Sequence, residues 1–345
     1  MSSEPLPWLT PASIPELGYL SPETVADAIS AIASLGSRGK IIAGGSDLLH
    51  LMKRDSLVPF PDVIVDIKGI EQLRSLEFDA GRGMTLGSLV TIATLETDST
   101  VAGNYPLLSQ AAEDISSPQV RNVATVGGAL CQQVWCPFLR NGLRCWRAGG
   151  DICYATQDGA DNRYYHSIMG GNDCYAVHPS DLAVALEALD ASVVISGPYG
   201  TKTVRIDEFL PGNVRLQGVF QSHILASNEL VTSVRLPKPS PGARHLYLKT
   251  RIRNAFDFAI ASLALALNVE GATINSSRVV FGGIAPAPYR DTAVEKMLEG
   301  REASSVSVED VAATALSSAS PLQNNGYKVE VAKGLLVEGL AQLLA

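Results

Sequence analysis

The stretch "KIIAGGSDLLHLMK", followed at residues 63–67 by "VIVDI", constrains the fold more than any other part of this sequence. An apolar run, a glycine pair, a short amphipathic stretch and a second apolar run read as strand, tight turn, helix and strand. That is a βαβ unit with a glycine turn at the carboxyl edge of its first strand. Gly44 and Gly45 let a ligand approach the backbone closely, and Ser46 and Asp47 open a helix whose first amides can face a phosphate. Two adjacent glycines can equally serve the turn alone. The spacing is not GxGxxG, which argues against a Rossmann unit.

The rest of the chain alternates in kind. Ser21-Pro22-Glu23 reads as a helix start with Ser21 as cap, and Val25, Ile29, Ile32 and Leu35 keep helical spacing up to Gly36. Short strands are expected around 74–78 and 84–86, helices after Thr91 and Pro106, and a second glycine pair, Gly127-Gly128, sits in "RNVATVGGALC". "HPSDLAVALEALDASVVI" reads as a capped helix running into a strand, and "LVTSVRLP" as another strand. Beyond "SPGA" at 240–243, three long strands precede helices near 291–298, 308–317 and 326–343. The pattern is α+β, in more than one domain.

Composition narrows the partners. The 345 residues are 46% hydrophobic and 18% charged, enough to bury substantial cores. A net charge of −8 without a block of Lys or Arg offers no footprint for nucleic acid or anionic membrane surfaces. The opening "MSSEPLPWLTPASIPELGYL" lacks a cationic start and an apolar core, and "FAIASLALALNVE" is too short to span a bilayer. We therefore expect neither a signal peptide nor direct membrane insertion.

All five cysteines fall between Cys131 and Cys174, spaced C-x4-C-x8-C-x7-C-x20-C without a CxxC pair. Structural zinc favours tight knuckles and would here need help from His166 or His178. Disulfides suit an oxidising compartment and leave one of the five thiols over. Four thiolates can also hold a [4Fe–4S] core that organises its own loop. Spacing alone leaves these open. Residues 133–176 show no periodicity, and loops of that length are usually functional or disordered. Trp135, Phe138, Trp146, Tyr154, Tyr164 and Tyr165 either wrap a cluster or form an ordinary loop core. No Ser/His/Asp or paired-carboxylate constellation is present.

The phrases "KIIAGGSDLLHLMK", "VRNVATVGGALCQ", "HPSDLAVALEALDA", "ELVTSVRLP" and "YLKTRIRNAFDFAIAS" stand in an order that resembles the FAD-binding subunits of the molybdenum hydroxylases, from about residue 5 to the carboxyl end. This family includes flavin subunits of xanthine dehydrogenases, carbon monoxide dehydrogenases, aldehyde oxidoreductases and 4-hydroxybenzoyl-CoA reductases. The resemblance implies a PCMH-type FAD-binding domain, with a small βαβ subdomain over 1–60 and a larger mixed α/β subdomain over 61–238. The latter carries an inserted cysteine-rich loop at about 133–176. A C-terminal α+β domain with a three-stranded antiparallel sheet and helices would occupy 239–345.

The resemblance also implies roles. Lys40, Ile41, Ile42, Ala43, Gly44, Gly45, Ser46, Asp47 and Leu48 would wrap the FAD pyrophosphate, mainly through backbone amides. Thr125, Gly127, Gly128 and Ala129 would form a second wall, with Cys131 behind it. Ser180 and Asp181 would reach the adenosine and ribityl part, and Leu230, Val231 and Lys249 the nucleotide end or the flavin ring. Ala129 stands where the family usually has the Asn of "GGN", which removes one side-chain hydrogen bond. Read without the family, Asp181 is a helix cap and Lys249 a solvated edge lysine.

One branch of the family inserts a loop holding a [4Fe–4S] cluster, and this loop resembles it. Cys136, Cys145, Cys153 and Cys174 belong to the insertion and would be the ligands, whereas Cys131 lies in the shared flavin phrase. The implied function is an electron-transfer flavoprotein subunit, oxidising no substrate of its own. Its partners would be a large molybdenum-cofactor subunit, a small [2Fe–2S] subunit and an external electron acceptor, with aldehydes as the substrate class. Such a subunit would be cytoplasmic, or periplasmic by export with a signal-bearing partner. A self-sufficient flavin oxidase of related fold and a zinc-stabilised interaction module are the alternatives.

Overall fold

In the computed structural model, which describes residues 14–54, 56–57, 59–216 and 218–345, the first glycine segment forms a βαβ unit. Strands β1 (Gly18–Leu20), β2 (Gly39–Ile42) and β3 (Val63–Asp66) make a parallel sheet in the order β1-β3-β2. Because β3 carries both ladders, this unit runs to Asp66, past the expected boundary at 60. Its residues 1–13 lie outside the described chain. The helix Val25–Leu35 starts later than expected: Thr24, not Ser21, is the cap, since its Oγ accepts from the Asp27 amide at 3.1 Å.

The second sheet is antiparallel. It contains β4 (Leu76–Asp79), β5 (Gly83–Gly87), β6 (Ser192–Gly197) and β7 (Gly200–Arg205). After a hairpin of β8 (Val214–Leu216) and β9 (Val219–Gln221), β10 (Leu230–Leu236) enters its centre, giving the order β4-β5-β10-β6-β7. The third sheet holds the three expected long strands, β11 (Ala243–Thr250), β12 (Ala261–Glu270) and β13 (Thr273–Gly282), plus a two-residue fourth, β14 (Tyr289–Arg290).

The strand period of two decides how the layers meet. Along β12, Leu263, Leu265 and Leu267 join the core under the helices Thr292–Leu298, Val308–Thr314 and Tyr327–Leu344, while Ala264 turns the other way. There it meets the helix Asp181–Ala188, every residue of which is buried. A helix covered on all sides belongs between layers, and this one is shared by the cores of the second and third sheets. Among the described residues no helix is long and apolar enough to cross a membrane.

Residues 133–176 are ordered without regular periodicity. A helical turn at Pro137–Arg140, two 3-10 turns and a bridge between His166 and Ala176 surround a small core of Val134, Leu139, Ala148, Ala176 and Phe220. The fully buried Lys328 clips this loop to the C-terminal helices, donating to the carbonyls of Tyr164, His166 and Gly283.

Glu187 is the costly member of the shared helix. Burial, reinforced by the charge of Asp207, lifts its carboxyl from an ordinary value of 4.5 to about 7. The protonated form is thus favoured by folding, so its contribution is intact below pH 4.5 and is lost as pH rises through 7. Urea unfolding of Glu187→Gln and the unsubstituted protein should diverge by about 2 kcal/mol in favour of the variant between pH 5 and pH 8.5. Equal differences at both pH values would contradict this.

Candidate functional site

The first glycine turn faces the second across a narrow crevice. A Cβ on Gly44 would sit 1.9 Å from the Val123 carbonyl oxygen, so only glycine lets the two loops touch. Gly45 has φ +73°, a left-handed conformation that glycine adopts without strain. The amides of Gly44, Gly45 and Ser46 find no acceptor among the described residues, and Ser46 is exposed. Lys40 is reached by solvent, yet the surrounding protein pulls its ammonium below the usual lysine value. The donor set fits a pyrophosphate.

The second wall contributes differently from what its glycines imply. The amides of Val126, Gly127 and Ala129 donate to the carbonyls of Val90, Ser88 and Thr125, and that of Gly128 to the Thr125 side chain. It therefore supplies a close surface, with Gly128 exposed, rather than amide donors. Cys131 ends the helix Val126–Cys131 against the main core, where burial pushes its thiol up to about 12. Leu230 and Val231 are 3% exposed and pack into two different cores, so their side chains are not free for a ligand.

The Asp47 side chain is engaged within the chain. Its carboxylate accepts from Arg140 Nη2 at 2.7 Å and from the Gln133 amide at 2.8 Å. Arg140, itself buried, also donates to the carbonyls of Val134 and Gln133 and lies over the Trp135 ring. The first turn of the cysteine loop is thereby locked onto the glycine crevice.

Behind this lock, Cys136, Cys145, Cys153 and Cys174 line a single pocket with Phe138, Trp146 and Tyr154. All five thiols are free, which leaves no disulfide in the loop. Burial holds the Cys136 thiol at about 12 and raises those of Cys145 and Cys153. Among the described residues no His, Cys, Asp and Glu group closes tightly enough for a single metal ion. Four thiols spread around one apolar cavity fit a larger inorganic core. His166 Nε2 stands 3.5 Å from Cys136 Sγ, and Arg147 Nε donates to Cys174 Sγ at 3.2 Å. Of the six aromatics expected here, Trp135 and Tyr165 line a different pocket, and Tyr164 lies under Arg163.

That second pocket is lined by Trp135, Tyr165, His178, Ser180, Asp181 and Phe258 among others. The His178 Nε2 and His223 Nδ1 atoms find no partner among the described residues, and burial first of all keeps both rings neutral, at about 3 and about 4. Ser180 spends its hydroxyl on the Ala183 amide, so it, not Asp181, caps the helix. Asp181 accepts from Lys249 Nζ and Tyr247, both at 2.7 Å, and Lys249 also donates to the carbonyls of Asp114 and Asp257. Lys249 is thus a buried ion-pair partner rather than an edge lysine. Arg140 and Arg147 were not singled out by the sequence, although three arginines inside the cysteine run, Arg140, Arg144 and Arg147, are the signal that could have found them.

The family model of the FAD binding domain in molybdopterin dehydrogenase matches residues 15–239, and that of the CO dehydrogenase flavoprotein C-terminal domain matches residues 246–343. The chain is 35% identical to the aldehyde oxidoreductase FAD-binding subunit PaoB of Escherichia coli K12, over 89% of this chain and 92% of that one. It is 27% identical to the carbon monoxide dehydrogenase medium chain of Hydrogenophaga pseudoflava, over 90% and 89% respectively. The solved structure of carbon monoxide dehydrogenase from the same organism, which lacks the Mo-pyranopterin moiety of its molybdenum cofactor, superposes with a TM-score of 0.74 at 25% identity, covering 96% of this chain and 98% of that one.

Three substitutions separate the roles of these residues. Asp181→Ala and Lys249→Met should each lower unfolding stability by about 3 kcal/mol, with the double variant losing less than the sum in urea melts. Strict additivity would show that the pair is not coupled. Gly44→Ala should leave the fold intact by circular dichroism but push the crevice open, reducing FAD retained on gel filtration at least tenfold.

Proposed function

The chain belongs to the FAD-binding subunits of the molybdenum hydroxylase family, and we propose that it serves there as an electron-transfer flavoprotein subunit carrying a second redox centre, a [4Fe–4S] cluster. The observation that carries this reading is the gathering of four thiols, and not the fifth, around one cavity beside the glycine crevice. Gly44, Gly45 and Ser46 would hold the FAD pyrophosphate through their free amides, with Lys40 alongside. Cys136, Cys145, Cys153 and Cys174 would hold the cluster. When bound, the flavin supplies a junction between one- and two-electron transfer and the cluster a one-electron store.

The chain's own residues orient and insulate. Arg140 and Asp47 fix the spacing between the crevice and the cysteine loop. Phe138, Trp146 and Tyr154 keep water from the thiol cavity, which influences the potential of whatever it holds. We further propose a large partner that binds the molybdenum cofactor, a small [2Fe–2S] partner and an external acceptor. Aldehydes are the proposed substrate class of the large partner, because the Escherichia coli relative is named an aldehyde oxidoreductase subunit.

Metal and flavin analysis of the protein purified with its partners should find one FAD and about four irons per chain. Cys145→Ala and Cys174→Ala should lose that iron while keeping FAD, and Cys131→Ala should keep both. Iron lost from Cys131→Ala but retained in Cys145→Ala would overturn the ligand assignment, and zinc in place of iron would overturn the cluster.

A further inference from the structure

We propose that Arg147 is the built-in counter-charge for an anionic occupant of the four-cysteine cavity, and that it raises the reduction potential of the cluster held there; this rests on the cluster reading above. The guanidinium is 5% exposed. Its Nε–H donates to Cys174 Sγ at 3.2 Å, Nη1 to Gln133 Oε1 at 3.3 Å and Ser222 Oγ at 3.2 Å, and Nη2 to Asn213 Oδ1 at 2.8 Å. Every oxygen acceptor is a neutral amide or hydroxyl. No carboxylate among the described residues pairs with it.

The other two buried arginines behave differently. Arg121 is paired with Glu96 and Arg140 with Asp47. A guanidinium cannot shed its charge, and a buried charge left uncompensated is strongly destabilising. The neighbouring rings give no relief, because His178 and His223 are held neutral and are themselves pushed further down by Arg147. Neutral thiols would not compensate it either. Four thiolates would, since their charge outweighs that of the iron–sulfide core they bind. The sulfur that the Arg147 side chain touches, Cys174 Sγ, belongs to a proposed ligand, so the compensation would act on the cluster directly.

The electrostatic sign follows. In the one-electron couple the cluster gains an electron and no proton, and the reduced form is the more negative. A fixed positive charge hydrogen-bonded to a ligand sulfur favours that form and raises the potential. Because Arg147 touches the ligand and not the iron, it is a positioning and tuning residue.

The test is a dithionite titration of the complex, followed by electron paramagnetic resonance, for the unsubstituted protein, Arg147→Gln and Arg147→Lys. Arg147→Gln should keep its iron and FAD while its ratio of reduced to oxidised cluster at fixed potential falls at least tenfold, which is 59 mV for a one-electron couple. Arg147→Lys, which keeps the charge, should recover most of that shift. An unchanged midpoint in an iron-replete Arg147→Gln protein overturns the inference. If Arg147→Gln loses its iron, retention in Arg147→Lys supports the charge, and loss from both variants overturns it. Absence of iron from the unsubstituted protein would instead remove the cluster reading, and this inference with it.

Discussion

A part-buried ion pair, Asp47 with the buried Arg140, makes the two halves of the site one object. Asp47 sits at the head of the helix Leu48–Lys53 that closes the glycine turn, and Arg140 ends the first helical turn of the cysteine loop. The pair is more than a single contact, because the Gln133 amide takes the second carboxylate oxygen and Arg140 also reaches the Gln133 and Val134 carbonyls. A buried charge held by several directed hydrogen bonds has few low-energy arrangements, so this knot sets register where the loop itself has no regular structure. Gln133 then continues the connection, its side-chain oxygen accepting from Arg147, which reaches Cys174.

The layers behind the site are held by a second pair of similar logic, this one buried. Helix Asp181–Ala188 lies between the second and third sheets, and Lys249 reaches from β11 to its first residue. Apolar packing supplies most of the stability there but slides easily; an ion pair that also engages Tyr247 and two carbonyls fixes direction. Lys328 does the same for the cysteine loop and the last helix, with three backbone carbonyls in place of a carboxylate. Each lock joins segments distant in sequence, and each uses a charged group that is silent in the hydrophobic pattern.

That silence explains what could be read beforehand. The glycine turns, the strands of the third sheet and the helix Asp181–Ala188 were legible because backbone freedom and apolar period are local properties. The grouping of four cysteines apart from Cys131 was legible only through the family phrases, since the spacing alone left zinc, disulfides and a cluster open. The ion pairs of Asp47 and Lys249 were not legible, because their partners lie 93 and 68 residues away and nothing local announces a pairing at that distance. The cap moved from Ser21 to Thr24 for a local reason: Thr24 and Asp27 satisfy one another, a reciprocal bond that outweighs the proline signal.

The two walls of the crevice also divide their labour in a way that bears on Ala129. Amides in the second wall are spent on Ser88, Val90 and Thr125, so that wall holds its shape without a ligand. Replacing the usual Asn by Ala there removes a polar side chain but no backbone donor. Free amides are confined to the first wall, which is the wall that Asp47 anchors to the cysteine loop. Whatever orders that loop therefore also braces the free amides of the first wall, because Arg140 joins the glycine turn and the cysteine loop mechanically.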